Sequence, residues 1–475
     1  MNDRKRWLAL YVLCTGVLMI VLDTTVVTVA LPSIQADLGF SGTSIVWALN
    51  AYMLTFGGFL LLGGRLGDLY GQRRWYLIGL ALFTLASLAC GLAQSQLTLV
   101  VARAVQGLGG AVVTAVALSL IMNLFREPAE RAQAMGIYGF ICAAGGSLGE
   151  VLGGVLTDVF GWASVFLVNL PIGIAVYFGC LRLLPRDVAP EQRGRLDVGG
   201  AITGTLGLLL AVYAVVDGNR AGWSSVQTLG LAAVALVLLA LFLLIEMRVR
   251  EPLMPLRLFR LHNLAVANVV AVLWAAGMFA WFVITALYLQ HVLGYDPMRV
   301  GLAFLPADGI MALFSAGLSA RMVMRYGIRG PMWIGLLVAA LGLALIARAP
   351  LQGSFLVDVL PGMLLLGLGG GMAFNPVLLA AMNEVDHSES GLASGIVNTS
   401  FMMGGALGLA ALASLADART ATLQQAGVEP LVALRDGYQR AFIWGALLTA
   451  LGAAIGGLLL RPGPMDGEGA VDPVA

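Results

Sequence analysis

Four ionisable residues stand inside stretches that are otherwise apolar. They are Asp23 in VLDTTVVTVALP, Arg103 in VVARAVQGLGGA, Glu150 in GFICAAGGSLGEVLGG and Asp308 in GLAFLPADGIM. A bare charge in such surroundings is costly unless a partner, a proton or water compensates it. Two kinds of chemistry answer that cost. A carboxylate beside a guanidinium stays ionised and clasps two helices, which is the expectation for Asp23 with Arg103. A carboxyl without a cation holds a proton at rest and exchanges it when its exposure changes, which is the expectation for Glu150. Asp308 lies about two turns from one end of its apolar run, where a vestibule position serves it as well as a buried one.

The elements that position these groups follow from composition. Of 475 residues, 59% are hydrophobic and 11% are charged, against about 25% charged in ordinary soluble domains. Apolar runs of about 20 residues, long enough to cross a bilayer, recur throughout. They fall near 8–32, 46–66, 75–93, 97–122, 133–156, 164–184, 198–216, 225–246, 264–290, 301–322, 330–348, 356–380, 395–416 and 439–460. The expectation is a polytopic membrane protein of fourteen spans, all helical, since backbone exposed to lipid must satisfy its own hydrogen bonds. Arg4, Lys5 and Arg6 precede the first run as in a signal peptide, but no small-residue cleavage site follows, so a retained span is expected.

Loop charges set the expected orientation. With alternate connections assigned to opposite sides, twenty basic residues fall on the side of the termini and six on the other. By the positive-inside rule both termini are expected in the cytoplasm. The polar tail PGPMDGEGAVDPVA is expected to be disordered. A net charge of +1 gives no reason to invoke nucleic acid, and four cysteines and three histidines without ligand spacing give none to invoke a metal or disulfide. The single lysine, Lys5, leaves no phosphate-binding GxxxxGK[ST] motif, and no HExxH occurs. An enzyme or a sensor is therefore the least expected class, and no cofactor is implied.

A repeat divides the chain. GRLGDLYGQRR, Gly64 to Arg74, follows the second run, and ARMVMRYGIRG, Ala320 to Gly330, follows the tenth. Aligned without gaps, Arg65, Tyr70, Gly71 and Arg73 match Arg321, Tyr326, Gly327 and Arg329. Two halves of six spans, with spans seven and eight inserted between them, would show this pattern.

With these motifs in hand, the chain resembles the fourteen-helix drug:proton antiporters of the major facilitator superfamily over nearly its whole length. LDTTVVTVALP (Leu22 to Pro32) is similar to the family's first-span signature, and Gly64 to Arg74 to its loop motif, with Gly64, Asp68, Gly71, Arg73 and Arg74 in place. RAVQGLGGA (Arg103 to Ala111), GWASVFLVNLPIG (Gly161 to Gly173) and REPLMPLRLF (Arg250 to Phe259) resemble three further signatures. Two departures stand out. Glu150 follows Gly149 where the family has a proline, and Phe401 and Met402 replace an Arg-Gln pair within GLASGIVNTSFMMGG.

The resemblance implies the major facilitator fold: a six-helix bundle at 1–190, two linker helices at 191–260, a second six-helix bundle at 261–462 and a tail at 463–475. It implies a multi-pass protein of the cytoplasmic membrane, expected to be a monomer among lipids, that exports amphiphilic drugs in exchange for protons by alternating access. The alternative is a dedicated exporter of one metabolite or self-made antibiotic. Asp23, Arg103, Glu150 and Asp308 become the candidates for proton coupling. Trp47, Tyr52, Glu150, Trp274, Phe279, Phe282 and Phe374 are candidate walls of a substrate cavity, by stacking and cation–π contact. Gly64, Asp68, Gly71, Arg73 and Arg74 are expected to act in conformational switching. Gly145, Gly149, Gly153 and Gly154 join them, because small residues at helical spacing let helices approach and move.

Overall fold

The computed structural model describes residues 3–125, 127–185, 197–249, 252–314, 318–382, 384–385 and 390–461. Within helices, the side chains at 68, 128–129, 131–132, 135–136, 139–140, 142–144, 147, 219–220, 320, 324, 390–392 and 394 lie outside that description. The expected disordered tail at 463–475 and the start of the linker at 191–196 lie outside it too.

Sixteen helices and no strand are found among the described residues. The first half holds α1 (Asp3–Leu38), α2 (Trp47–Tyr70), α3 (Gln72–Gly91), α4 (Gln96–Leu124), α5 (Pro128–Phe160), the short α6 (Ser164–Leu167) and α7 (Asn169–Leu183). Then come α8 (Val198–Ala221) and α9 (Val226–Arg248). The second half holds α10 (His262–His291), α11 (Pro297–Leu313), α12 (Ser319–Tyr326), α13 (Arg329–Ile346), α14 (Leu360–Met382), α15 (Ser390–Gln425) and α16 (Pro430–Leu459). Oxygens at several helix starts hold otherwise orphaned backbone donors. Ser95 accepts from Thr98, Asp197 from Gly200, Ser225 from Thr228 and Asp296 from Arg299.

Among the described residues, twelve helical segments are long and apolar enough to cross a membrane. The 33-residue α5 and the pair α11–α12 stand where the other two expected spans fall. Two boundaries move outward from the sequence-based ones. α1 runs through Pro32 to Leu38. The stretch 417–438, expected as a loop, is instead the closing turns of α15 and the opening turns of α16. Hydropathy reports preference for lipid, not helicity, so it stops where a helix emerges into water. Arg419 meets Asp436 at 2.9 Å, and Thr420 Oγ1 donates to the carbonyls of Ala416 and Ala433, which ties this projecting hairpin together.

The loop repeat has a structural counterpart. Gly71 (φ 103°) and Gly327 (φ 73°) both turn the chain through the left-handed region that favours glycine. Two residues on, Arg73 donates to the carbonyl of Leu181 at 2.6 Å, and Arg329 donates to that of Gly457 at 2.5 Å. Each arginine thus caps the carbonyl end of the last span in its own half.

α2 and α3 pack on α4, and α1 on α5 and α7; in the second half α13 packs on α14 and α16, and α10 on α15 and α16. Two helix pairs form the main seams between the halves, and α1 also meets α10, where Gln290 Nε2 donates to Val29 O at 2.9 Å. α2 lies along α15, with Asn50 Nδ2 donating to Ala406 O and Thr399 Oγ1 to Gly57 O. α5 lies along α11. An offset of eight spans turns the second span into the tenth and the fifth into the thirteenth, so the two seams exchange under the repeat. α8 covers the α2–α15 seam, where Ser414 Oγ donates to Val215 O, and α9 packs outside α8.

Candidate functional site

The first half converges on Asp23. Arg103 Nη1 donates to its Oδ2 at 2.5 Å, while Gln106 Nε2 and Asn169 Nδ2 both donate to its Oδ1 at 2.8 Å. Ser87 Oγ receives from the same two amides and donates to Phe166 O at 2.9 Å. Arg103 also donates through Nε to Ala48 O at 2.8 Å and through Nη1 to Gln106 Oε1 at 2.7 Å. Its guanidinium carbon lies 4.3 Å from the centre of the Tyr52 ring and 5.7 Å from that of Phe166. Neither charged side chain is exposed at all. The expected Asp23–Arg103 pair is present, and it stitches α1, α2, α3, α4 and α7 into one unit. Gln106, Ser87 and Asn169 were not singled out in the sequence. Their signal was an uncharged polar residue in an apolar span, with Gln106 one turn beyond Arg103 and Asn169 inside a quoted signature.

Glu150 and Asp308 meet a different environment. Glu150 is 1% exposed and Asp308 is 7% exposed, and their carboxyl groups stand close enough to interact with each other. Among the described residues, nothing donates to Glu150 Oε2 or Asp308 Oδ2, although both atoms are buried. A hydrogen bond between two carboxyls needs a proton on one of them. Around the pair, backbones touch: Gly301 of α11 lies against the Glu150 carbonyl, and a Cβ on Gly154 would stand 2.7 Å from the Pro297 carbonyl oxygen. Glycine is what permits approaches this close.

The expected glycine face of α5 therefore divides. Gly145 abuts Leu18 and Val21, Gly149 abuts Thr25, and Gly153 abuts the Val26 backbone, all on α1 of the same half. Gly154 alone of the four turns to the other half. In the first loop motif Gly64 packs loosely by Ala115, Gly71 makes the turn and Arg73 caps α7. Arg74 is also engaged in an interaction. The side chain of Asp68 lies outside the described residues.

The aromatic candidates sort by half. Tyr52 is buried, parallel to Phe56 and beneath Arg103, and Trp47 packs on Tyr213 of α8. Trp274, Phe279 and Phe374 gather around Phe401, with ring centres 5.3, 5.8 and 6.4 Å from it. Phe282 stacks on Phe304 and lies 4.3 Å from Trp281. Phe401, noted in the sequence only as a replaced arginine, is the centre of the cluster. Phe279, Phe374 and Phe401 are each half-buried.

Known proteins bear on this geometry. The family model of the Major Facilitator Superfamily matches residues 13–409. The puromycin resistance protein pur8 of Streptomyces alboniger is 38% identical over 461 residues, covering 96% of this chain and 90% of that protein. The cephamycin export protein CmcT of Amycolatopsis lactamdurans is 38% identical, covering 87% and 85%. The multidrug resistance protein Stp of Mycobacterium tuberculosis is 39% identical, covering 89% and 78%. Among solved structures, a bacterial homologue of the lysosomal transporter Spinster superposes with a TM-score of 0.71 at 16% identity, over 97% of this chain and 98% of that one. The nucleoside transporter NupG does so with a TM-score of 0.67 at 13% identity, over 96% and 100%. At such identities these two speak for the fold alone.

Proposed function

The chain belongs to the Major Facilitator Superfamily, and on that premise we propose that this multi-pass membrane transporter exports amphiphilic drugs and antibiotics in exchange for protons. The single observation that carries the proton half of this reading is Glu150: a fully buried acid with no cation paired to it among the described residues, on a helix at a seam between the two halves. Each proton entering down the membrane potential supplies about 2.3 kcal/mol per 100 mV, enough to drive a concentrating step. The names of the relatives, which speak of puromycin, cephamycin and multidrug resistance, support the drug half. The cluster of Phe401, Trp274, Phe279 and Phe374 offers flat faces on which such compounds can stack.

Bundles at 1–190 and 261–462 rock about the seams, with 191–260 as linker helices and both termini in the cytoplasm. Of the four coupling candidates, Asp23 and Arg103 hold the first bundle together, while Glu150 and Asp308 lie where the bundles must part. Purified protein in proteoliposomes tests the reading. Adding puromycin or tetraphenylphosphonium to vesicles with an imposed proton gradient should drive uphill drug uptake into inside-out vesicles and drain the gradient. Drug movement that ignores the gradient would end the antiport reading. Transport confined to one compound of a wide panel would favour the dedicated exporter.

A further inference from the structure

Glu150 and Asp308 approach from opposite halves along an antiparallel seam, since Gly154 lies by Pro297 and the Glu150 backbone by Gly301. Helical side chains lean toward the N-terminus of their own helix. Glu150 therefore leans along α5 away from Gly301, Asp308 leans back along α11, and the two carboxyls meet between their own levels. Both are more than nine-tenths buried, and Glu150 Oε2 and Asp308 Oδ2 are buried atoms to which nothing donates among the described residues.

Among the described residues, the surroundings offer nothing else to balance two negative charges. On α1 and α4, Asp23 and Arg103 are paired with each other, and Gln106 and Asn169 also donate to Asp23. On α11, Arg299 is paired with Asp296 at the surface. On α10, His291 contacts the Tyr438 hydroxyl at 3.3 Å, and on α5 Glu130 pairs with Arg6 at the far end. α14 and α6 carry no charged residue. Among the described residues, Asp308 is the charged group that acts on Glu150. Two carboxylates this close in a site shielded from water cannot both stay ionised.

We propose that Glu150 and Asp308 form a single proton-binding site that latches the α5–α11 seam, which closes with one proton shared between the carboxyls and opens when that proton leaves. The proposal rests on the exporter reading above, in which this seam opens and closes during transport. The chemistry balances simply. Water on the open side delivers a proton, one O–H bond forms, and the pair passes from two negative charges to one. Loss of the proton to the other side restores repulsion and parts the helices. The replacement of a kinking proline by Glu150 thereby gains a purpose: an unbroken α5 presents a titratable group at the point of closest approach.

The seam can be watched directly. Asp158 on α5 and Arg299 on α11 are exposed near the same end of the two helices. In full-length protein with the four native cysteines replaced by alanine, spin labels at Asp158→Cys and Arg299→Cys report their separation in lipid nanodiscs, without substrate. From about pH 5 to about pH 9, a range spanning perturbed carboxyl titrations, the wild-type distance distribution should shift from short to long. Glu150→Gln and Asp308→Asn each replace the shared proton by an amide donor, so both should keep the short distance and lose the pH response. A wild-type distribution unmoved by pH, or an equal shift in both amide variants, would overturn the latch. Should one variant misfold, the other decides. The measurement contains no drug. Failure of drug-driven proton movement in vesicles would therefore count against the exporter reading and leave the latch standing, and the reverse holds too.

Discussion

Asp23 and Glu150 are acids of equal burial, each 1% exposed, on helices that pack against each other. The oxygens of Asp23 accept from Arg103, Gln106 and Asn169. Glu150 Oε2 accepts from nothing among the described residues, and the opposing acid Asp308 stands beside the group. The first arrangement lies within one half of the molecule, the second between halves. An acid with both oxygens engaged, one of them by a guanidinium, has little reason to exchange its proton state, whereas in the proposed latch an acid pair across the seam changes its energy when the seam moves. Under that proposal, what distinguishes the two acids is not depth but an unpartnered oxygen at the seam between halves.

The largest expected effect breaks the first site. Asp23→Asn strands the Arg103 guanidinium, and breaking a buried pair costs about 3–5 kcal/mol. Thermal unfolding of the purified variant should show a large loss. Arg103→Met combined with Asp23→Leu removes both charges and should lose clearly less. A double variant as unstable as the single one would mean that the pair does not act as a clasp.

Glycines sharpen the contrast at the next level. Gly149→Ala and Gly153→Ala press on α1 within one half and should destabilise by about 1–3 kcal/mol, as overpacking does. Gly154→Ala and Gly301→Ala press on the seam between halves. They should slow transport and leave unfolding nearly unchanged, because the seam can open where a bundle core cannot. Equal loss of stability at all four positions would erase the distinction between packing and seam.

The smallest effect concerns drug contact. Phe401→Ala removes the centre of the ring cluster, and aromatic pairs contribute about 0.5–1.5 kcal/mol beyond their area. Equilibrium binding of puromycin should weaken several-fold with coupling intact. Unchanged affinity would move the drug site away from Trp274, Phe279 and Phe374.

Much of this was legible in the sequence because membranes make sequence patterns strict. The fourteen apolar runs, the basic Gly-containing turns and the deep acids all follow from what lipid forbids, and the helices fall on the expected runs. The helical continuation at the α15–α16 hairpin was not legible, since it falls outside the apolar runs and is held by Arg419, Asp436 and Thr420. Nor was the partner of Glu150. Asp308 sits in the other half of the chain, and no spacing rule links two helices that meet only through the fold. The polar network around Asp23 was visible as Ser87, Gln106 and Asn169 in apolar runs. Uncharged residues of that kind also satisfy their own helix carbonyls, as Thr55, Thr84 and Thr449 do here, so type alone did not single them out.

The assignment of the coupling proton to the Glu150–Asp308 pair is tested most directly by counting protons released when drug binds. Purified protein in weakly buffered detergent solution, mixed with saturating tetraphenylphosphonium beside a pH indicator, should release about one proton per bound cation, the stoichiometry of a single shared proton. Glu150→Gln and Asp308→Asn should bind the cation and release none. Release of the same proton by both variants would place the coupling site elsewhere, with Asp23 the acid next in line.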